Sequence, residues 1–289
     1  MQYGAHLPLI AFERATWSLA EVCDYTRRAA ALGYRFLCAN DHLFFQRPWL
    51  DGPTALAAAL EASADMTLAT TVALPVIRGP VATAKMLAAL DRLSGGRLVA
   101  GVGPGSSRRD YAAAGIEFEQ RWKRFDEAVA AMRSLLDEEV APGRPPIWIA
   151  SWGSPAGLRR VAALGDGWLA SGYNTTPEAF SAGRAALPRQ LPNAVATMWL
   201  CVTDRRREAE HMLADVLAPI LNRPAEALRA LALPIGSPQE CAERISAYAQ
   251  AGAERVFVWP LADELRQLEA FRERVVPLVQ PPASQEPEH

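Results

Sequence analysis

Short apolar runs alternate with longer amphipathic stretches along most of the chain. The runs are nearly continuous in apolar residues, as expected for strands buried on both faces of a parallel sheet. Eight strands are predicted, at residues 3–10, 35–39, 67–74, 97–101, 146–150, 167–170, 194–202 and 255–259. Helices are predicted between and after them, at residues 18–32, 53–64, 81–93, 121–138, 155–164, 177–187, 205–217, 224–231, 238–251 and 264–279. Strand–helix units in this number predict an α/β fold, a single (β/α)8 TIM barrel, in preference to an open doubly wound sheet.

Local signals support several of these boundaries. Ser18 and Glu21 have the spacing of a capping box, and Gly33 is suited to end the same helix. Extra helices lie between the seventh and eighth strands, so residues 204–233 are predicted to form a lid or a substrate-binding segment. We expect residues 1–279 to form one barrel domain and residues 280–289, rich in proline and polar side chains, to be a disordered tail.

Composition excludes several classes of function. The 289 residues carry a net charge of -2, which gives no reason to expect a nucleic acid or an acidic membrane as partner. No apolar run approaches the roughly 20 residues of a membrane helix, and no secretory signal begins the chain. The four cysteines and four histidines show no spacing typical of metal ligands. The sequence therefore predicts a cytoplasmic protein without a metal site.

Candidate chemistry lies after the predicted strands, because the active site of a TIM barrel is at their carboxyl ends. His42 follows the second strand beside Asp41; it could move a proton near neutral pH, or merely cap the strand. Gly103 and Gly105 follow the fourth strand, where glycines let the backbone approach a ligand closely. Ser154 precedes a helix whose free amides suit a phosphate, although an ordinary capped helix is an equal alternative.

Two further pairs of side chains leave the choice open. Arg108 and Arg109 could bind an acidic group or simply be solvated. Trp152 and Trp199 suit a cofactor pocket and core packing equally well.

Residues 90–105, LDRLSGGRLVAGVGPG, resemble the hallmark LDxLSxGRxxxGVGxG of the luciferase-like oxidoreductases, the bacterial luciferase superfamily. Further segments are similar to the family: LP at 74–75, RGP at 78–80, GIEF at 115–118, PIWIA at 146–150, AALGDGW at 162–168 and GSP at 236–238. Together these matches extend from the third strand almost to the last, so the resemblance covers most of the chain.

The resemblance implies a TIM barrel that binds reduced flavin mononucleotide (FMN) or the deazaflavin coenzyme F420. Some members are monooxygenases, and others move a hydride between F420 and an alcohol, a sugar phosphate or a methylene-pterin. In the F420-dependent members a cis peptide bond after the third strand supports the ring. The matching bond is Thr71–Val72, which places Thr71, Val72 and Ala73 at the cofactor. Since family members are often dimers, a homodimer is one expectation.

Asp41-His42 with Pro48-Trp49 is similar to a catalytic element of the F420-dependent sugar-phosphate dehydrogenases, with a longer spacer between its halves. The resemblance implies that His42 polarises or deprotonates the substrate oxygen and that Trp49 forms an apolar wall. Those dehydrogenases have a glutamate where this chain has Ser106, so their substrate is not implied here.

The same resemblance assigns further residues to the cofactor. These are Gly103, Gly105 and Ser106 after the fourth strand, and Trp152, Gly153 and Ser154 after the fifth. The leading hypothesis is an F420-dependent oxidoreductase acting on a small organic substrate. The alternatives are a two-component monooxygenase that uses reduced FMN and oxygen, and a non-catalytic flavin-binding barrel protein.

Overall fold

The computed structural model describes residues 1–10, 12, 17–139, 143–231 and 233–281. Residues 282–289, most of the predicted tail, lie outside the described residues. The strands of the described part are β1 Gln2–His6, β2 Phe36–Ala39, β3 Thr67–Thr70, β4 Leu98–Val102, β5 Ile147–Ala150, β6 Gly167–Ser171, β7 Asn193–Val202, β8 Ile235–Gly236 and β9 Arg255–Pro260.

Helices follow the strands in sequence. The α-helices of the described part are α1 Leu19–Ala31, α2 Gly52–Ala58, α3 Pro75–Arg78, α4 Pro80–Leu93, α5 Arg108–Ala113, α6 Arg121–Glu139, α7 Pro155–Leu164, α8 Pro177–Ala186, α9 Arg206–His211, α10 Ala218–Leu221, α11 Ala225–Arg229, α12 Pro238–Gln250 and α13 Glu264–Ala270. Short 3-10 or π-helical turns cover Glu61–Ser63, Phe118–Gln120, Met212–Leu217, Phe271–Val275 and Val276–Leu278. None of these helices is long and apolar enough to cross a membrane.

Eight of the strands close into a parallel barrel. The order is β1-β2-β3-β4-β5-β6-β7-β9, and β9 pairs back to β1. The two-residue strand β8 pairs with β7 as an addition to the barrel. The TIM-barrel prediction is therefore confirmed, including the extra helices α9, α10 and α11 between the seventh and eighth barrel strands.

The alternation of side chains along each strand explains the continuous apolar runs. Phe36 and Cys38 of β2 pack in one buried cluster with residues of the other strands, such as Phe257. The alternate residues of the same strand, Leu37 and Ala39, pack in a second cluster that includes residues of the helices. Because both faces of each strand are buried, the sequence is apolar at consecutive positions.

Capping interactions place several helices as predicted. The Ser18 hydroxyl accepts from the Glu21 amide, and the Glu21 carboxylate accepts from the Ser18 amide at 2.8 Å, which completes the capping box. Ser154, Thr176 and Ser237 each cap a helix with proline in its first turn. These contacts satisfy amides that the first turn of a helix leaves without intrahelical partners.

Several elements differ from the prediction. β1 ends at His6 and not at residue 10, and β3 ends at Thr70 and not at residue 74. The bond Thr71–Val72 is cis, as the resemblance implied. Residues 75–78 form α3, since proline is well suited to the first position of a helix. The six-residue α5 was not predicted; it begins after the Ser107 cap.

Candidate active site

A cavity of about 420 Å³ lies at the carboxyl ends of the barrel strands. We call it the first cavity. Its wall is built from residues that follow β2 to β6 and from β7, and it includes Asn40, Asp41, His42, Thr71, Val72, Gly103, Gly105, Ser106, Trp152, Ser154, Tyr173 and Thr197. This is the position at which TIM barrels carry their active sites.

A second cavity, also about 420 Å³, adjoins the first. The two share part of their walls: Asn40, His42, Ser106, Trp152, Tyr173 and Thr197. Residues 220–223, from the end of α10, line the second cavity only. The segment predicted to contact a substrate therefore contributes to its wall.

Most of the predicted site residues line the first cavity, and three do not. Trp49 lines the second cavity and packs on the His42 ring, with 4.8 Å between the ring centroids. Ala73 is fully buried and pairs with Val102, so it supports the wall from behind. Gly153 has a φ of +93° and donates its amide to the Ser151 hydroxyl at 3.2 Å, outside the cavity lining.

Trp49 and Trp152 differ in exposure, since Trp152 is 54% exposed. Trp152 lies on the wall that both cavities share. Trp49 is partly buried, and its indole N–H has no hydrogen-bond partner among the described residues. Trp152 is therefore accessible to a ligand, and Trp49 forms part of an aromatic wall.

His42 is paired with a carboxylate that the sequence prediction missed. Its Nδ1 atom lies 2.9 Å from Oδ2 of Asp110 in α5. The Asp110 side chain is only 1 % exposed, and its other oxygen accepts the Phe44 amide at 2.8 Å. Because a carboxylate only accepts, Nδ1 is the nitrogen that carries the proton in the neutral ring, and Nε2 then has the free lone pair. The sequence did hold a signal for Asp110. This carboxylate follows the glycine loop and lies three residues after Ser107, the residue that caps α5.

Asp41 was expected to act together with His42, and the structure pairs it with Arg78 instead. Arg78 donates two hydrogen bonds of 2.6 Å to the buried Asp41 carboxylate, and a further one to Asp51. Hydrogen bonds to Asp41 raise the pKa of Arg78 further, despite its burial. Burial by itself raises the pKa of Asp51. Hydrogen bonds from Thr54 and Arg78 outweigh this effect and hold the pKa of Asp51 below its ordinary value. Asp41 therefore fixes the chain next to His42 through an ion pair.

A buried histidine supports the wall at Thr71. Nδ1 of His6 donates to the Leu7 carbonyl at 3.0 Å, so Nε2 accepts from the Thr71 hydroxyl at 3.1 Å. The His6 ring is stacked on Trp259 with centroids 3.5 Å apart. Burial lowers the pKa of His6 to about 3, so this histidine is neutral at physiological pH.

The first cavity suits a ligand with a flat ring and a phosphate. A Cβ added at Gly103 would lie 2.9 Å from Cγ2 of Val72, so glycine keeps the backbone open beside the Thr71–Val72 bond. Ser154 caps the ten-residue helix α7 at the wall, and the first turn of α7 has no acidic residue. The positive end of a helix favours an anion. Arg121 also lines this cavity, and it donates to the Phe118 carbonyl at 3.1 Å.

Comparison with curated proteins finds relatives that use F420. The chain is 33% identical over 180 residues to an F420-dependent glucose-6-phosphate dehydrogenase of Intrasporangium calvum, covering 52% of this chain and 53% of that protein. It is 26% identical to a protein of the same name from Amycolatopsis mediterranei, covering 89% and 93% of the two chains. The chain spans about half the length of several other curated relatives that it matches.

Solved structures share the fold at low sequence identity. An F420-dependent secondary alcohol dehydrogenase, in complex with an F420–acetone adduct, superposes with a TM-score of 0.79 at 18% identity, covering 96% of this chain and 99% of that one. A monooxygenase from Streptomyces bottropensis superposes with a TM-score of 0.76 at 23% identity, covering 96% and 99%. At these identities the likeness concerns the fold.

The His42–Asp110 pair thus lies beside a cavity at the carboxyl ends of the barrel strands, where TIM-barrel enzymes carry their active sites. The family model for luciferase-like monooxygenases matches residues 11–222. The chain belongs to this family, which confirms the resemblance seen in the sequence.

Proposed function

We propose that the protein is an F420-dependent oxidoreductase that transfers a hydride between the deazaflavin and a small organic substrate. The observation that carries the proposal is the His42–Asp110 pair at the junction of the two cavities. A cofactor in the first cavity and a substrate in the second would both lie against this histidine.

His42 acts as the proton acceptor in the oxidation of an alcohol. Asp110 holds the Nδ1 proton, so the lone pair of Nε2 is available to the substrate hydroxyl. Asp110 also stabilises the imidazolium that forms when Nε2 takes the proton. In the reverse direction, the protonated His42 donates to the carbonyl oxygen of the substrate.

The residues that would hold the cofactor are Thr71, Val72, Gly103, Gly105 and Ser106 on the ring side. Ser154 would hold its phosphate at the start of α7, next to Trp152 and Gly153. Ala73 supports this wall, because the Gly103 amide donates to its carbonyl at 3.1 Å. When bound, the deazaflavin supplies the hydride chemistry.

The F420-dependent relatives favour this cofactor over FMN. The two cofactors have in common the flat ring and the phosphate to which the first cavity is suited. A monooxygenase that uses reduced FMN and oxygen is therefore an outcome that the experiment must separate from the proposal.

The test measures turnover under two conditions, with F420 in the absence of oxygen and with reduced FMN in its presence. Purified protein with F420 and a panel of alcohols, without oxygen, is expected to bleach the deazaflavin absorbance. His42→Gln should abolish most of this activity, whereas Arg27→Gln, an exposed arginine paired with Asp24 on α1, should retain it. Turnover only with reduced FMN and oxygen would contradict the proposal.

A further inference from the structure

The second cavity has an unbalanced charge. Three arginines line it, Arg108, Arg109 and Arg223, and its described lining contains no aspartate or glutamate. Arg108 is neutralised by Glu119 at 2.7 Å and is 70% exposed. The other two have no carboxylate partner among the described residues.

Arg223 is held in place by neutral groups. It donates to the Tyr173 carbonyl at 2.9 Å and to the Asn174 side chain, and its guanidinium lies 5.3 Å from the centre of the Tyr173 ring. Arg109 donates to the Phe45 carbonyl at 3.2 Å. Neither contact removes the positive charge, so both arginines retain an electrostatic preference for an anion.

One part of the second cavity is apolar and aromatic. Its lining includes Phe45, Trp49, Trp199, Ile220 and Leu221. Such surfaces bind the apolar body of a ligand, while a few charged groups fix its orientation.

We propose that the second cavity binds a substrate with an apolar or aromatic body and an oxyanion, a carboxylate or a phosphate, which Arg109 and Arg223 neutralise. The inference rests on the proposed function in one respect, namely that the reacting oxygen lies at His42. Binding of the anion itself requires neither F420 nor turnover, so it is testable independently.

The experiment compares three probes, benzoate, phenyl phosphate and the uncharged benzyl alcohol, by calorimetric titration. At least one anion is expected to bind about tenfold or more tightly than benzyl alcohol, since hydrogen bonds between charged groups are stronger than those between neutral groups. The preferred anion identifies the oxyanion as a carboxylate or a phosphate. Equal binding of all three probes would overturn the proposal.

Variants of the two arginines test whether they cause the preference for an anion. Arg109→Gln and Arg223→Gln should each weaken the preferred anion about tenfold and leave benzyl alcohol unchanged, while Arg27→Gln should change neither. Far-ultraviolet circular dichroism checks that each variant is folded. If the two variants instead weaken F420 or FMN and spare the anionic probes, the arginines serve the cofactor and the proposal is wrong. A protein that prefers FMN but keeps the anion preference would contradict the proposed function alone.

Discussion

Nδ1 of His42 lies 2.9 Å from Oδ2 of Asp110, although 68 residues separate them in the chain. The barrel brings them together, because β2 and β4 both end at the same rim. The pairing fixes which ring nitrogen carries the proton.

Replacing either member of this pair should slow turnover. His42→Gln is expected to lower kcat about 10²-fold or more, since it removes the proton acceptor. Asp110→Asn should lower kcat in the same direction, because an amide no longer stabilises the imidazolium. Steady-state kinetics with titrated F420 checks this; a normal kcat in both variants, with cofactor affinity unchanged, would exclude the proposed role.

Arg78 should matter for stability more than an exposed arginine does. Arg78→Met leaves the buried Asp41 carboxylate unpaired and is expected to cost about 3 kcal/mol of unfolding free energy. Arg27→Met, which breaks an exposed pair, should cost no more than about 0.5 kcal/mol. Urea unfolding measures both, and equal losses would contradict the structural role of Asp41.

Ser154 and Ser237 provide a matched pair of helix caps. Each precedes a proline and caps a helix, but only Ser154 lines the first cavity. Alanine at either position should cost about 1 kcal/mol of stability. Only Ser154→Ala should also weaken the cofactor; equal cofactor affinity in the two variants would argue against a phosphate at α7.

His6 predicts a dependence of stability on pH. Its pKa is about 3 in the folded protein and near the ordinary 6.5 when unfolded, so the unfolded chain binds the proton first. The contribution of neutral His6 to the free energy of unfolding is therefore complete above about pH 6.5 and is lost as the pH falls toward about 3. Between about pH 7 and about pH 5.5, the wild type should lose about 1 kcal/mol more than His6→Gln. Parallel slopes in the two proteins would show that His6 does not titrate on unfolding.

Periodicity and caps predicted the barrel well, because these signals are local. Ser18 and Glu21 are three residues apart, and their capping box forms as expected. The boundaries failed where tertiary contacts decide them: β3 ends at Thr70, although the apolar run continues.

The candidate site was predicted only in part. His42 and the glycine loop lie on the first cavity, as expected from their positions after strands. The partner of His42 was missed because adjacency in sequence suggested Asp41, whereas neighbouring side chains point in different directions. Arg223 was missed since nothing in its local sequence indicates which cavity it lines.

The cofactor claim is tested most directly by titrating the purified protein with F420 and, separately, with FMN, followed by fluorescence. The account predicts saturable binding of F420, with FMN binding at least about tenfold more weakly. Tighter binding of FMN than of F420 would contradict it.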